Sequence, residues 1–324
     1  MFDKLVSMLK ANPKTIVFTE GPDARILEAA AKLKADGDYL KPILVGDVST
    51  VKANAAAAGF DIEGIEIIDP ANYDGMDAMV EKMVELRKGK MSPEDCQKNL
   101  LKGNYFGTML VQMGKADCLL GGATYSTADT VRPALQLIKT KPGNSIVSSC
   151  FIMVRDNADG TQEKLAMGDC AINIHPTEDN LVEIAQETAK CAQVFGIDPK
   201  VAFLSFSTKG SAKDDSVTMV QNAVAKAKEV MDVPVDGEMQ FDAAVSPTVG
   251  QLKFPGSEVA GYANTFIFPD VTAGNIGYKI AARLGGFAAY GPILLGLNAP
   301  INDLSRGCVA DEVYKMALIT AALA

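Results

Sequence analysis

The chain has 324 residues, 48% hydrophobic and 22% charged, with 31 Lys and Arg against 40 Asp and Glu and a formal net charge of −9. At roughly 150 residues per domain this length makes about two domains with substantial cores. The acidic balance excludes a global positive field for nucleic acid or an anionic membrane. A single histidine, His175, excludes any centre built on two or three imidazoles, and the six cysteines, with no C-x-x-C pair, read as reduced thiols. No apolar run approaches the ~20 residues that cross a bilayer, and no signal-peptide pattern opens the chain. A cytoplasmic protein is expected, with neither nucleic acid nor membrane as a partner.

Short β-branched runs alternate with amphipathic segments from the start, the signature of an α/β architecture. Residues 15–19 predict a strand leading into a helix over 24–35, and 42–45 and 65–69 predict two more strands. Helical patterns cover 76–88 and 93–113, the second with Ser92 ahead of Pro93 at its start, and 116–120 reads as a buried strand. A Pro/Gly turn cluster at 139–144 marks a boundary near residue 140, because 145–154 and 164–174 then read as strands of a hairpin around the turn 156–160. Alternation resumes with helix 177–194, strand 201–206, helix 215–230, strand 264–268, helix 272–284, strand 292–297 and a last helix over 310–322.

Neither G-x-G-x-x-G nor G-x-x-x-x-G-K-[ST] occurs, so a phosphate-bearing ligand would be held another way. Three expected strand-to-helix junctions carry small hydroxyl or glycine residues, where free backbone N–H groups and the helix dipole accept an anion. They are Gly121-Gly-Ala-Thr-Tyr-Ser-Thr127, Ser205-Phe-Ser-Thr-Lys-Gly-Ser211 and Pro269-Asp-Val-Thr-Ala-Gly-Asn-Ile-Gly277. In the first, Arg132 can return from the next helix toward its start, while Ser126 or Thr127 equally suits an N-cap. Lys209 and Lys279 add charge to the others, though a lone lysine is ordinarily solvated surface. The polar turn 300–308, followed by Asp311 and Glu312, lies where open α/β sheets place ligands. It crowds a guanidinium fork suited to phosphate oxygens with carboxylates that can take a proton. The same acids complement a helix dipole, and Glu312 can be half of a capping box, so spacing leaves both readings open.

Asn302-Asp-Leu-Ser-Arg-Gly-Cys308, Leu204-Ser-Phe-Ser-Thr-Lys-Gly-Ser211, Pro269-Asp-Val-Thr-Ala-Gly-Asn-Ile-Gly-Tyr-Lys279 and Thr127-Ala-Asp-Thr-Val-Arg-Pro133 span nearly the whole chain together with Phe18-Thr-Glu-Gly21 and Glu85-Leu-Arg87. In these blocks the chain resembles the phosphate acetyltransferases of the phosphate acetyl/butyryltransferase family. The resemblance implies reversible transfer of an acetyl group between CoA and inorganic phosphate in a ternary complex. It implies CoA, acetyl phosphate and phosphate as partners, with no metal required, no permanently bound cofactor and no covalent acyl-enzyme. It also implies two α/β domains with a cleft between them, similar to the isocitrate and isopropylmalate dehydrogenases: domain I from 1–140 and 292–324, domain II from 141–291. A homodimer is the expected assembly.

By resemblance, Ser305 assists the reaction, Arg306 binds the phosphoryl end, and an acid near the start of the last helix deprotonates the CoA thiol. A thiol pKa near roughly 8.5 calls for such a base at neutral pH. Glu312 keeps the resembled spacing, seven residues beyond Ser305, where the family has Asp; Asp311 keeps the side chain but stands about 100° round the helix. Glu312 is favoured, and Val309, where the family has Ser or Asn, weakens the capping reading of Glu312. Arg87, Arg132 and Arg283 match arginines used around CoA and phosphate, although Arg283 also suits a helix C-terminus. Ser126, Thr127, Ser207, Thr208, Lys209, Asn275 and Lys279 complete the expected contacts. Cys308 is expected to line the CoA site or to pack, and His175 to mark a helix entry. A phosphate butyryltransferase, or a CoA- or acetyl-phosphate-binding protein without turnover, are the alternative readings.

Overall fold

A computed structural model describes residues 1–324. In chain order its elements begin α1 (Phe2–Ala11), β1 (Lys14–Phe18), α2 (Ala24–Asp36), β2 (Leu40–Val45), α3 (Val48–Ala58), β3 (Glu66–Ile68), α4 (Met76–Arg87), α5 (Pro93–Leu100), α6 (Gly103–Gln112), β4 (Cys118–Gly121) and α7 (Thr127–Pro133). Then come β5 (Ser148–Asp156), β6 (Gln162–Gly168), α8 (Glu178–Val194), β7 (Val201–Leu204), α9 (Asp215–Val230), β8 (Val235–Met239), α10 (Phe241–Val245), α11 (Pro247–Lys253), β9 (Thr265–Ile267), α12 (Val271–Arg283) and β10 (Ala288–Leu295). The chain closes with β11 (Ile301–Asp303) and α13 (Ala310–Ala322). Contacts divide it into one unit of Met1–Pro142 with Leu297–Ala324 and a second of Gly143–Gly296.

In the first unit a parallel sheet runs β11-β4-β1-β2-β3. Ile16, Val17 and Phe18 of its central strand are fully buried, as an unbroken apolar run covered on both faces should be. Helix α2 buries Ile26, Leu27, Ala29, Ala30 and Leu33, the 3.6-residue stripe of a helix packed on a sheet. It starts at Asp23, whose carboxylate accepts the Arg25 N–H, and α3 ends at Gly59 in the left-handed conformation. The strand order reverses between β1 and β4, so the crevice beyond their carboxyl ends is a topological switch point. The helix expected over 93–113 is two helices, α5 and α6, broken at 101–102. Gly103 opens α6 against Thr19, where a Cβ would overlap the Thr19 carbonyl oxygen, so the chain turns to lay α6 on β1.

The second unit holds a mixed sheet in the order β10-β5-β6-β9-β7-β8. β10, β5 and β6 are antiparallel, and β6, β9, β7 and β8 are parallel. Period-two alternation divides two cores: Ala202, Leu204, Phe266 and Phe268 face one side, Val201, Phe203 and Ile267 the other, with Leu181, Ile184, Val220 and Val224 from α8 and α9. The hairpin strand expected over 164–174 stops at Gly168. From there Asp169, 3% exposed, turns the chain by accepting the N–H groups of Ala171, Ile172 and Asn173 and the Ser149 hydroxyl. The strand expected over 292–297 begins earlier, at Ala288, and pairs with β5, so the chain re-enters the first unit at Leu297.

Candidate active site

Within the first unit the ends of β1, β4 and β11 stand side by side, which joins two segments distant in sequence, 121–127 and 302–308. The Leu304 N–H donates to the Gly121 carbonyl at 2.7 Å. Asp303, buried, accepts the hydroxyls of Thr127 at 2.6 Å and Thr130 at 2.5 Å, and Gly122, at φ 99°, leaves no room for a Cβ beside that carboxylate. Glu20, at the end of β1, grips the same loop. It accepts the Gly122 N–H at 3.2 Å, the Thr124 N–H at 2.9 Å and the Thr124 and Thr19 hydroxyls. Burial raises the pKa of both carboxyls, against the hydrogen bonds that favour their charged forms.

Ser305, Arg306 and Gly307 are exposed on the turn after β11, while Cys308 is 5% exposed. Burial raises the Cys308 thiol, with the nearby Arg25 cation opposing the rise, which is the wrong direction for a nucleophile at neutral pH. The two acids that open α13 are held differently. Asp311 pairs with Lys315 at 2.7 Å and Lys32 at 3.6 Å, and the Lys315 hydrogen bond holds it below the ordinary carboxylate range. Glu312 accepts only the Val309 N–H, at 3.1 Å. The expectation that Val309 weakens a capping role for Glu312 is therefore corrected. Valine supplies no acceptor for the reciprocal bond, but the glutamate arm of a capping box forms all the same.

The other expected residues of this unit divide by how free their polar atoms are. Ser126 caps α7 and donates to Asp129 at 2.7 Å, and the Thr127 hydroxyl is taken by Asp303. Arg132 is exposed, and Arg87, at the end of α4, keeps a buried Nε with no hydrogen-bond partner. Both arginines lie close enough to Tyr105 to oppose the rise that burial gives its hydroxyl. Arg25, which the sequence reading passed over, joins the two segments: its guanidinium donates to the carbonyls of Ala123, Arg306 and Cys308. Its only sequence signal is an Asp-x-Arg pattern at the start of the helix after the first strand.

In the second unit β7 and β9 are neighbours, so the loop after β7 and the start of α12 lie together at their carboxyl ends. Ser207 and Thr208 are buried. The Ser207 hydroxyl donates to Glu238 at 2.7 Å and accepts the Ala212 N–H, and the Thr208 hydroxyl accepts the Gln240 N–H at 2.9 Å. Lys209 is exposed, its ammonium 5.0 Å from the Phe254 ring centroid. Asn275 donates to the Cys170 carbonyl at 3.1 Å, while Lys279 and Arg283 are exposed along α12. His175 is exposed just before α8. No group of three or more His, Cys, Asp or Glu side chains is placed to hold a metal, and no helix is long and apolar enough to cross a membrane.

Residues 1–321 match the family model described as phosphate acetyl/butaryl transferase. The chain is 52% identical over 325 residues to a phosphate acetyltransferase of Bacillus subtilis (strain 168), covering 100% of this chain and 99% of that one. A solved phosphotransacetylase from Streptococcus pyogenes is similar with a TM-score of 0.96 at 52% identity, over 99% of this chain and 97% of that one. A second, the EutD phosphotransacetylase of Staphylococcus aureus, gives a TM-score of 0.91 at 51% identity, over 99% and 98%. Matched along its length in sequence and in fold, the chain belongs to the phosphate acetyl/butaryl transferase family of acyl-transferring enzymes.

Proposed function

We propose that this chain is a phosphate acetyltransferase, converting acetyl-CoA and phosphate to CoA and acetyl phosphate and back. The observation that carries the reading is identity of about half, end to end, with phosphate acetyltransferases. In the direction of CoA acylation, Glu312 takes the thiol proton and the sulfur attacks the acetyl carbonyl. Arg306 holds the phosphoryl group that departs with the electrons of the C–O bond, and Ser305 assists. Asp311 is the weaker base because its two lysines stabilise its charged form. Arg87 and Arg132 bind CoA, and the buried, unpartnered Nε of Arg87 is a donor without an acceptor in the free chain. Ser126, Thr127, Lys209, Asn275, Lys279, Arg283 and Cys308 belong to the same reading as substrate contacts, and Ser207 and Thr208 as part of the loop that carries Lys209. The buried hydroxyls of Ser207 and Thr208 serve by shaping their loop.

The reading extends to a cytoplasmic homodimer that needs no metal. Ile276 and Ile280 on α12 and Leu284 just past its end, spaced by four, are 55%, 53% and 85% exposed, an apolar stripe that pairing would cover. The deciding experiment is phosphate-dependent release of free thiol from acetyl-CoA with a metal chelator present and butyryl-CoA run in parallel. Fast release from acetyl-CoA is expected. Preference for butyryl-CoA would select the butyryltransferase, CoA binding without release a protein that has lost turnover, and dependence on added metal would remove the metal-free reading. Sedimentation at twice the 34.3 kDa chain mass tests the dimer.

A further inference from the structure

We propose that Arg25 is a positioning residue for the transferase reaction, setting Ser305 and Glu312 through the two peptide planes that lie between them. The inference rests on the roles given above to those two side chains. The Arg25 Nη1 donates to the Arg306 carbonyl at 2.8 Å and to the Cys308 carbonyl at 3.2 Å. In a trans peptide the C=O and the next N–H point opposite ways. A clamp on the Arg306 carbonyl therefore aims the Gly307 N–H away from Arg25, and it donates to the Ser305 Oγ at 3.2 Å. A clamp on the Cys308 carbonyl aims the Val309 N–H likewise, and it donates to the Glu312 carboxylate at 3.1 Å. One guanidinium thus fixes the donors that orient both side chains.

The fork is itself held. Asp23 accepts the Arg25 Nε at 2.9 Å and Nη2 at 2.8 Å, and Nη2 also reaches the Ala123 carbonyl at 2.8 Å on the loop after β4. The turn that carries Ser305 and Arg306 is otherwise exposed, so its backbone has few other restraints. Lysine cannot reproduce this geometry: an ammonium is a point charge without the planar fork.

Because misplacement by about 1 Å costs on the order of 10²-fold, Arg25→Lys is expected to lower kcat about that much while KM for CoA and for phosphate stays within about threefold. Asp23→Asn, which loosens the fork and leaves it in place, should lower kcat less. Placed on Glu312→Gln, Arg25→Lys should cost less than it does alone, because of the two side chains the clamp positions only Ser305 still acts. Wild-type kcat in a folded Arg25→Lys protein overturns the proposal. So does a raised KM at unchanged kcat, which marks direct substrate contact, and so does a full multiplicative loss in the double variant. If Arg25→Lys fails to fold, Asp23→Asn decides: lowered kcat at constant KM supports the clamp, and unchanged kcat removes it. Unimpaired turnover in the Glu312→Gln and Ser305→Ala single variants would instead remove the underlying site assignment.

Discussion

Glu312 and Asp311 are adjacent acids with different obligations, and that difference makes the choice of base testable. The Lys315 and Lys32 ammonium groups favour the charged form of Asp311, so it gives up basicity, whereas Glu312 meets only a backbone N–H. Glu312→Gln is expected to reduce turnover by about 10²–10⁴ if its carboxylate is the general base, with Asp311→Asn falling far less; steady-state rates of thiol release check both, and the reverse order would transfer the role to Asp311. At Arg306, truncation to Ala should cost about 1.5–3 kcal/mol of binding at the phosphoryl end, read as a raised KM for acetyl phosphate, and unchanged kinetics would refute that role. The turn bearing Ser305 and Arg306 was legible in the sequence only in part. The polar run 300–308 reads as one turn, but Ile301–Asp303 form the buried strand β11 and only the residues from Ser305 to Gly307 are exposed, because Asn302 and Asp303 find buried hydroxyl partners. What the sequence could not show is which hydroxyls are already engaged. Ser207 reads like a ligand contact until Glu238, 31 residues away, accepts its hydroxyl hydrogen bond, and Arg25 reads as an ordinary helix residue until three distant carbonyls converge on it.

Helix α6 shows the same limit one level up. Its apolar pattern continues that of α5, so periodicity joins them, and only the approach to β1 separates them. Gly103 and Gly107 face Thr19, Leu119 and Val17 at distances that leave a methyl group no space. Gly103→Ala is therefore expected to destabilise the fold by about 1–3 kcal/mol through overpacking against backbone that cannot yield, measured as a lower urea midpoint; an unshifted midpoint would show that α6 can move off β1. Elements with clean periods, such as α9 and α13, were legible because local pattern and burial agree. β8 was not, because Asp236 and Glu238 interrupt its apolar run. They are tolerated there because Lys228 pairs with Asp236 at 2.7 Å and Ser207, Gly210 and Gln221 donate to Glu238.

For the whole molecule, two carboxylate populations set opposite limits on stability with pH. Asp23, hydrogen-bonded by Arg25, and Asp311, by Lys315, have pKa values below the ordinary 3.8. Their contribution is present above that value and is lost as pH falls through the lowered one. Glu20 is the reverse case: burial raises it above 4.5 despite the hydrogen bonds from Thr124, Thr19 and Gly122. Between 4.5 and its raised folded value the native state binds more protons than the unfolded chain, so stability falls as pH rises across that window. Glu20→Gln keeps an acceptor for the Thr124 and Gly122 donors and cannot ionise. Its stability is expected to decline less than that of the parent as pH rises above 4.5, while the loss below 3.8 stays in both proteins, because Asp23 and Asp311 are untouched. Urea titrations across that range measure both limbs. Parallel curves above pH 4.5 would mean that Glu20 ionises in the folded protein as easily as in the unfolded one, and that its grip on the loop after β4 carries no pH dependence of its own.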